Sequence, residues 1–117
     1  MVELLGSGEI RRLAEELDLR PTKKLGQNFV IDPNTIRKIV SAAELSPRDK
    51  VVEIGPGLGS LTLGLLEKVN QLVVVEFDAR LAERLHQTLE QRAPGHKCQI
   101  ITADAMNVNQ LPFEPDA

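Results

Sequence analysis

The chain has 117 residues, 42% of them hydrophobic, which suits one small folded domain and excludes a disordered segment. Its net charge of −3 argues against this stretch alone holding nucleic acid, whose affinity comes largely from neutralising phosphates. No apolar run approaches the roughly 20 residues of a membrane span. Cys98, the only cysteine, excludes an internal disulfide and a cysteine-based zinc site.

The first residues, Met1 to Gly6, lack the basic start and long apolar core of a signal peptide, so the expected compartment is the cytoplasm. The spacing of Ile10, Leu13, Ala14 and Leu17 at i, i+3, i+4 and i+7 predicts a helix over 9–19. Arg20-Pro21-Thr22 stops it, because proline excludes the helical conformation at the residue before. Lys23 to Val30 is too short and mixed to assign. Asp32-Pro33 opens a second helix, with Asp as N-cap and Pro at the first helical position. Its predicted inner stripe is Ile36, Ile39, Val40 and Ala43. Ser46-Pro47-Arg48-Asp49 reads as a turn.

From there strands and helices alternate: strand 50–54, helix 60–69, strand 71–75, helix 79–91 with Asp78 as N-cap, and strand 98–102. Runs such as Leu72-Val73-Val74-Val75 suit a parallel sheet covered on both faces, built from right-handed crossover units. The expected class is therefore α/β. After Asp104 no further helix or strand pattern follows, and three parallel strands make a thin sheet. The chain is expected to be part of a longer protein.

Val51 to Ser60, VVEIGPGLGS, carries the strongest signal. Strand, glycine turn and helix in that order form a nucleotide- or nucleoside-binding corner, where glycines let a ligand approach the backbone. A dinucleotide fingerprint needs glycine where Ser60 stands. Glu53, two residues before Gly55, is awkward for a pyrophosphate and suits a cation such as S-adenosyl-L-methionine. Glu76 ends the second strand, where a carboxylate can accept from two ribose hydroxyls, and Asp104 follows the third. Ligands in such sheets bind beyond the carboxyl ends of the strands, where all three acids collect. Each has a plainer reading: Glu53 as a solvated carboxylate, Glu76 as the residue preceding an N-cap, Asp104 as a turn former. Gly55 and Gly57 have one too, as sites of tight strand–helix packing.

Lys24-Leu25-Gly26-Gln27-Asn28-Phe29-Val30, followed by Val52 to Gly59, Val75-Glu76-Phe77-Asp78 and Ala103-Asp104-Ala105-Met106, resembles the rRNA adenine N6,N6-dimethyltransferases, most closely the small-subunit type associated with kasugamycin sensitivity. The resemblance spans residues 22–108. It implies a Rossmann-like class I methyltransferase fold that uses S-adenosyl-L-methionine, without metal, on two adjacent adenines of small-subunit ribosomal RNA. It implies that Gln27, Asn28 and the backbone near Val30 line the methionine end of the cofactor. Gly55 and Gly57 let the cofactor approach, Glu76 holds the ribose, and Asp104 with the Ala105 backbone reads the adenine. Lys23 and Lys24 touch RNA or are simply solvated.

The family's Asn-Leu-Pro-Tyr/Phe motif, which supplies the catalytic groups, is absent. Gln110-Leu111-Pro112-Phe113 imitates it too early and with Gln first, and reads as loop. Residues 1–49 are expected to supply helices and a cofactor-covering segment, and 50–117 the first part of the Rossmann-like domain, monomeric and inactive alone. Two relatives of this function stay open, a large-subunit enzyme of macrolide-resistance type and a non-catalytic ribosome-assembly factor that binds RNA. An NAD-dependent oxidoreductase is the remaining enzyme alternative.

Overall fold

The computed structural model describes residues 2–16, 33–104, 106 and 114–117. Among them the elements follow in chain order as α1 (Ser7–Glu16), α2 (Pro33–Ala42), β1 (Lys50–Ile54), α3 (Ser60–Leu66), β2 (Gln71–Glu76), α4 (Ala79–Arg92) and β3 (Cys98–Thr102). The strands pair in parallel in the order β1-β2-β3, with Val51 opposite Leu72, Glu53 opposite Val74, and Glu76 opposite Thr102. Paired residues share a face and successive ones alternate. Val51, Glu53, Leu72, Val74, Glu76 and Ile100 therefore lie on one side, and Val52, Ile54, Val73, Val75 and Ile101 on the other.

The helices gather on the first side. Val51, Leu72 and Val74 join Leu63, Leu65, Leu66, Leu85 and Leu89 in one apolar cluster that also takes Ile10, Leu13 and Ala14 from α1 and Ile36 and Val40 from α2. Val73 and Val75 are buried but stand outside it. Two crossovers of the same hand, stepping the same way along the sheet, place their helices on one face. The outer edge of β1 meets the last residues. Val52 N–H donates to the Ala117 carbonyl at 2.7 Å, and Asp116 N–H to the Lys50 carbonyl at 2.7 Å. No helix of the described residues is long and apolar enough to cross a membrane.

Local chemistry accounts for the helix ends. α1 starts at Ser7, two residues before the predicted boundary, because the Gly6 carbonyl accepts from Ile10 N–H and the Glu9 side chain reaches back to Gly6 N–H at 3.4 Å. Its predicted end, 17–19, and Asp32 lie outside the described residues. α2 begins at Pro33 as expected, and α4 is capped by Asp78, which accepts from Arg80 N–H at 2.9 Å. The 46–49 turn closes through Asp49 N–H to the Ser46 carbonyl and Ser46 N–H to the Asp49 side chain. α3 stops at Leu66 rather than 69, where Lys68 N–H tightens onto the Leu65 carbonyl.

α1 lies against α4 and runs opposite to it, since Glu9 pairs with Arg92 and Glu16 with Arg84 at 2.7 Å. Arg92 also donates to the Leu4 carbonyl, and its own carbonyl accepts from Glu3 N–H at 2.9 Å. Such surface pairs add little energy each. They fix the helix direction, while Leu5, Ile10 and Leu13 supply the burial.

The predicted stripe of α2 holds only in part. Ile36 and Val40 are buried, whereas Ile39 is 44% exposed and Ala43 falls in the turn beyond the helix. The reason is Gly64. Without a side chain there α3 approaches α2 closely, and the contact line is filled by the i, i+4 pair of Ile36 and Val40. Ile39, about 60° around the helix from Ile36, misses it.

These contacts set opposite signs for two glycine substitutions. A Cβ on Gly64 would overlap Ile36 Cγ2 and press on Val40 Cγ2 at 3.3 Å, and both are branched side chains locked in the core. Gly64→Ala should therefore destabilise the chain by roughly 1–3 kcal/mol in urea unfolding, despite the better helix propensity of alanine. A Cβ on Gly8 in α1 meets nothing within 4 Å. Gly8→Ala should stabilise by about 0.5–1 kcal/mol. Equal effects at the two sites would contradict the packing described.

Candidate functional site

β1 ends at Ile54, and the chain reverses into α3 through three glycines with left-handed backbone, Gly55 at φ 69°, Gly57 at 57° and Gly59 at 99°. Gly55 N–H donates to the Val75 carbonyl at 2.9 Å, which holds the start of the turn against β2. Two of these glycines do different work. A Cβ on Gly59 would stand 2.6 Å from Leu85 Cδ1, so here the missing side chain serves packing. At Gly55 nothing lies within 4 Å of that position. Its bare backbone opens outward, which favours approach by a ligand over tight packing.

Glu53 is 8% exposed, so it is not the solvated strand-end carboxylate of the plainer reading. Thr62, wholly buried in the first turn of α3, donates its hydroxyl to Glu53 Oε1 at 2.5 Å. Burial pushes the Glu53 carboxyl up to about 7, the Thr62 hydroxyl acts in the opposite sense, and the nearby Glu76 charge adds to the rise.

Glu76 closes β2 and is buried on the same face. Its Oε2 accepts from Asp78 N–H at 3.0 Å, so the turn into α4 orients the carboxylate while Asp78 separately caps the helix. Ala103 N–H donates to the Glu76 carbonyl at 3.0 Å and ties the end of β3 alongside. Asp104, half-buried, accepts from Met106 N–H at 2.9 Å through Oδ1. That is the turn-forming role of its plainer reading. Oδ2 takes no hydrogen bond among the described residues.

Gly55, Gly57, Glu76 and Asp104 thus gather at the carboxyl ends of three adjacent strands. Gln27, Asn28, Val30 and Ala105 lie outside the described residues, as do Lys23, Lys24 and Gln110 to Phe113. Composition and spacing missed the apolar rim. Phe77 is 76% exposed directly after Glu76, and Ile54 is 68% exposed directly before Gly55. An aromatic next to a strand-end acid was the available signal, because a large ring left in water marks a contact surface. No group of three or more His, Cys, Asp or Glu among the described residues could hold a metal. Burial pushes the Cys98 thiol up to about 12, which leaves it an inert packing group. The hollow of about 480 Å³ between Gln71–Val73 and His96–Gln99 lies at the amino ends of β2 and β3, away from these acids.

A family model described as ribosomal RNA adenine dimethylase matches residues 19–114. A ribosomal RNA small subunit methyltransferase A of Corynebacterium glutamicum (strain R) is 59% identical over 114 residues, 96% of this chain and 39% of that one. Among solved structures, the 23S rRNA methyltransferase ErmE is 34% identical with a TM-score of 0.60, over 70% of this chain and 32% of that one. A dimethyladenosine transferase from Plasmodium falciparum is 26% identical with a TM-score of 0.62, over 71% and 30%. The chain spans about two fifths of the length of the curated relatives it matches. The architecture is the Rossmann-like methyltransferase fold, as the sequence led us to expect.

Glu53 also sets a pH dependence. Its folded-state value of about 7 exceeds the ordinary 4.5, so the folded chain binds this proton more tightly than the unfolded one. The stabilisation is complete below about pH 4.5 and is lost as pH rises through 7. The loss is on the order of 3 kcal/mol. Urea unfolding between pH 4.5 and 7.5 should show it in the wild type relative to Glu53→Gln. Parallel pH profiles for the two proteins would exclude this role.

Proposed function

The chain belongs to the ribosomal RNA adenine dimethylase family, and from that premise we propose that it forms the cofactor-binding part of an enzyme dimethylating N6 of two adjacent adenines in small-subunit ribosomal RNA. The observation that carries the reading is the corner itself. Gly55 presents open backbone beside two buried carboxylates, Glu53 and Glu76, and no Lys or Arg of the described residues pairs with either. Buried acids without a counter-cation suit a positively charged ligand and oppose a pyrophosphate. This favours S-adenosyl-L-methionine over NAD. The higher identity to a small-subunit relative than to a 23S enzyme favours the small-subunit target over the macrolide-resistance type.

Bound S-adenosyl-L-methionine supplies an electrophilic methyl group on a cationic sulfur. The chain's own residues bind and orient. Glu76, one oxygen fixed by Asp78 N–H, keeps the other for the ribose hydroxyls. Phe77 offers an apolar face beside it, and the Asp104 oxygen that takes no hydrogen bond among the described residues suits the adenine amine. Gln27, Asn28 and Val30 are assigned to the methionine end, and the Ala105 backbone to the adenine, by resemblance alone. The target adenine must leave its stack to reach the methyl group. Its amine is a poor nucleophile, because the ring withdraws the lone pair. The acceptors and aromatic surface that overcome this belong to the Asn-Leu-Pro-Tyr/Phe motif, which this sequence does not contain. Orientation by the groups described here supplies part of the barrier reduction. The reading places the protein in the cytoplasm as a monomer acting on ribosomal RNA.

The full-length protein should bind S-adenosyl-L-methionine and not NAD in calorimetric titration. Glu76→Ala should weaken that binding by about 10- to 100-fold, the cost of losing hydrogen bonds to a charged group. Unchanged affinity in this variant would remove Glu76 from the site, and absence of cofactor binding by the wild type would end the family-based assignment of activity.

A further inference from the structure

Glu53 and Glu76 are diagonal neighbours on one face of the sheet, since Glu53 pairs with Val74 and Glu76 lies two residues further along β2. Both are buried. Among the described residues, the titratable groups facing Glu53 are Glu76 on β2 and the Cys98 thiol on β3. α3 opposes it with the Thr62 hydroxyl and has no charged side chain between Ser60 and Leu66. α2, packed behind α3, turns Arg37 and Lys38 to solvent. Glu53 Oε2 takes no hydrogen bond among the described residues. Among the described residues, ionising this carboxyl therefore places a second negative charge beside the first, with one hydroxyl to support it. A positive charge brought to the neighbouring glycine turn reverses that balance.

Building on the cofactor assignment above, we propose that Glu53 selects the charge of the ligand: it releases its proton to solvent when the cationic sulfonium cofactor binds, and retains it when the neutral thioether product occupies the same place. The balance is Glu53–COOH giving Glu53–COO⁻ and one proton in solution. When the sulfonium loses its methyl group, its positive charge disappears and the carboxyl takes a proton back from water. The product is thereby held less tightly than the cofactor, and the corner empties after each transfer. Burial, which pushes the carboxyl of the unliganded site up to about 7, puts the exchange within the working range of pH. Glu53 acts through its charge and is a specificity residue, with Thr62 positioning it.

Isothermal titration of the full-length protein with S-adenosylmethionine and S-adenosylhomocysteine, in buffers of different protonation enthalpy, tests this. The two ligands share their amino-acid and adenosine ends, so other titrations cancel in the affinity ratio. That ratio should rise about tenfold or more in favour of S-adenosylmethionine between pH 6 and 8, with proton release for this ligand only. Glu53→Gln should flatten it while S-adenosylhomocysteine still binds. If that variant does not fold, Thr62 carries the test: Thr62→Val should move the transition to higher pH and Thr62→Ser should restore it. A pH-independent ratio in the wild type, a slope that survives Glu53→Gln, or a transition indifferent to Thr62→Val would each overturn the proposal. Failure of the wild type to bind either ligand would instead overturn the cofactor assignment, and this inference with it.

Discussion

Leu85 of α4 packs against the backbone of Gly59, 2.6 Å from where a side chain would begin, and the geometry of the strand ends depends on that contact. Gly59 is the N-cap of α3, held at φ 99°, a conformation a residue with a Cβ rarely adopts. Because the turn can tighten there, α3 and α4 lie side by side on one face of the sheet. The first turn of α3 then brings Thr62 over Glu53, and the first turn of α4 brings Asp78 under Glu76. Two carboxylates on neighbouring strands are thus fixed by the two helices that follow them.

Much of this was legible because the signals were local. Strand boundaries follow from unbroken apolar runs, and the start of α4 follows from a side chain that can satisfy its own helix terminus. What escaped the sequence depended on partners distant along the chain. Ile39 fits a helical stripe as well as Ile36, and only the closeness of α3 at Gly64 decides which is buried. Three glycines look alike as letters; Leu85 separates the one that serves packing from the one that faces outward. The burial of Glu53 was hidden for the same reason, since nothing in its neighbours announces that Thr62 will cover it. Asp104 shows the opposite limit. One oxygen closes a turn and the other takes no hydrogen bond among the described residues, and residue type alone cannot divide a carboxylate in that way.

The acids also show how the corner sets stability against use. A fold under selection for stability alone would favour an apolar residue at Glu53, because a buried carboxyl whose partner among the described residues is one hydroxyl is costly to desolvate. Keeping it leaves a buried carboxyl between β1 and α3, held among the described residues by the Thr62 hydroxyl. Under the proposal above, a cationic ligand would offset that cost, so that binding and folding draw on the same interaction.

The contacts that hold the first residues and α1 to α4 join positions far apart in sequence: 68 positions separate Glu16 from Arg84, its ion-pair partner, and 88 separate Arg92 from Leu4, whose carbonyl it binds. On a ribosome, which emits the chain from its amino end, α1 is made before α4 and lacks that docking surface until α4 has emerged. Ile10 and Leu13 stay exposed through that interval, and α1 reaches its place only after α4 has been made.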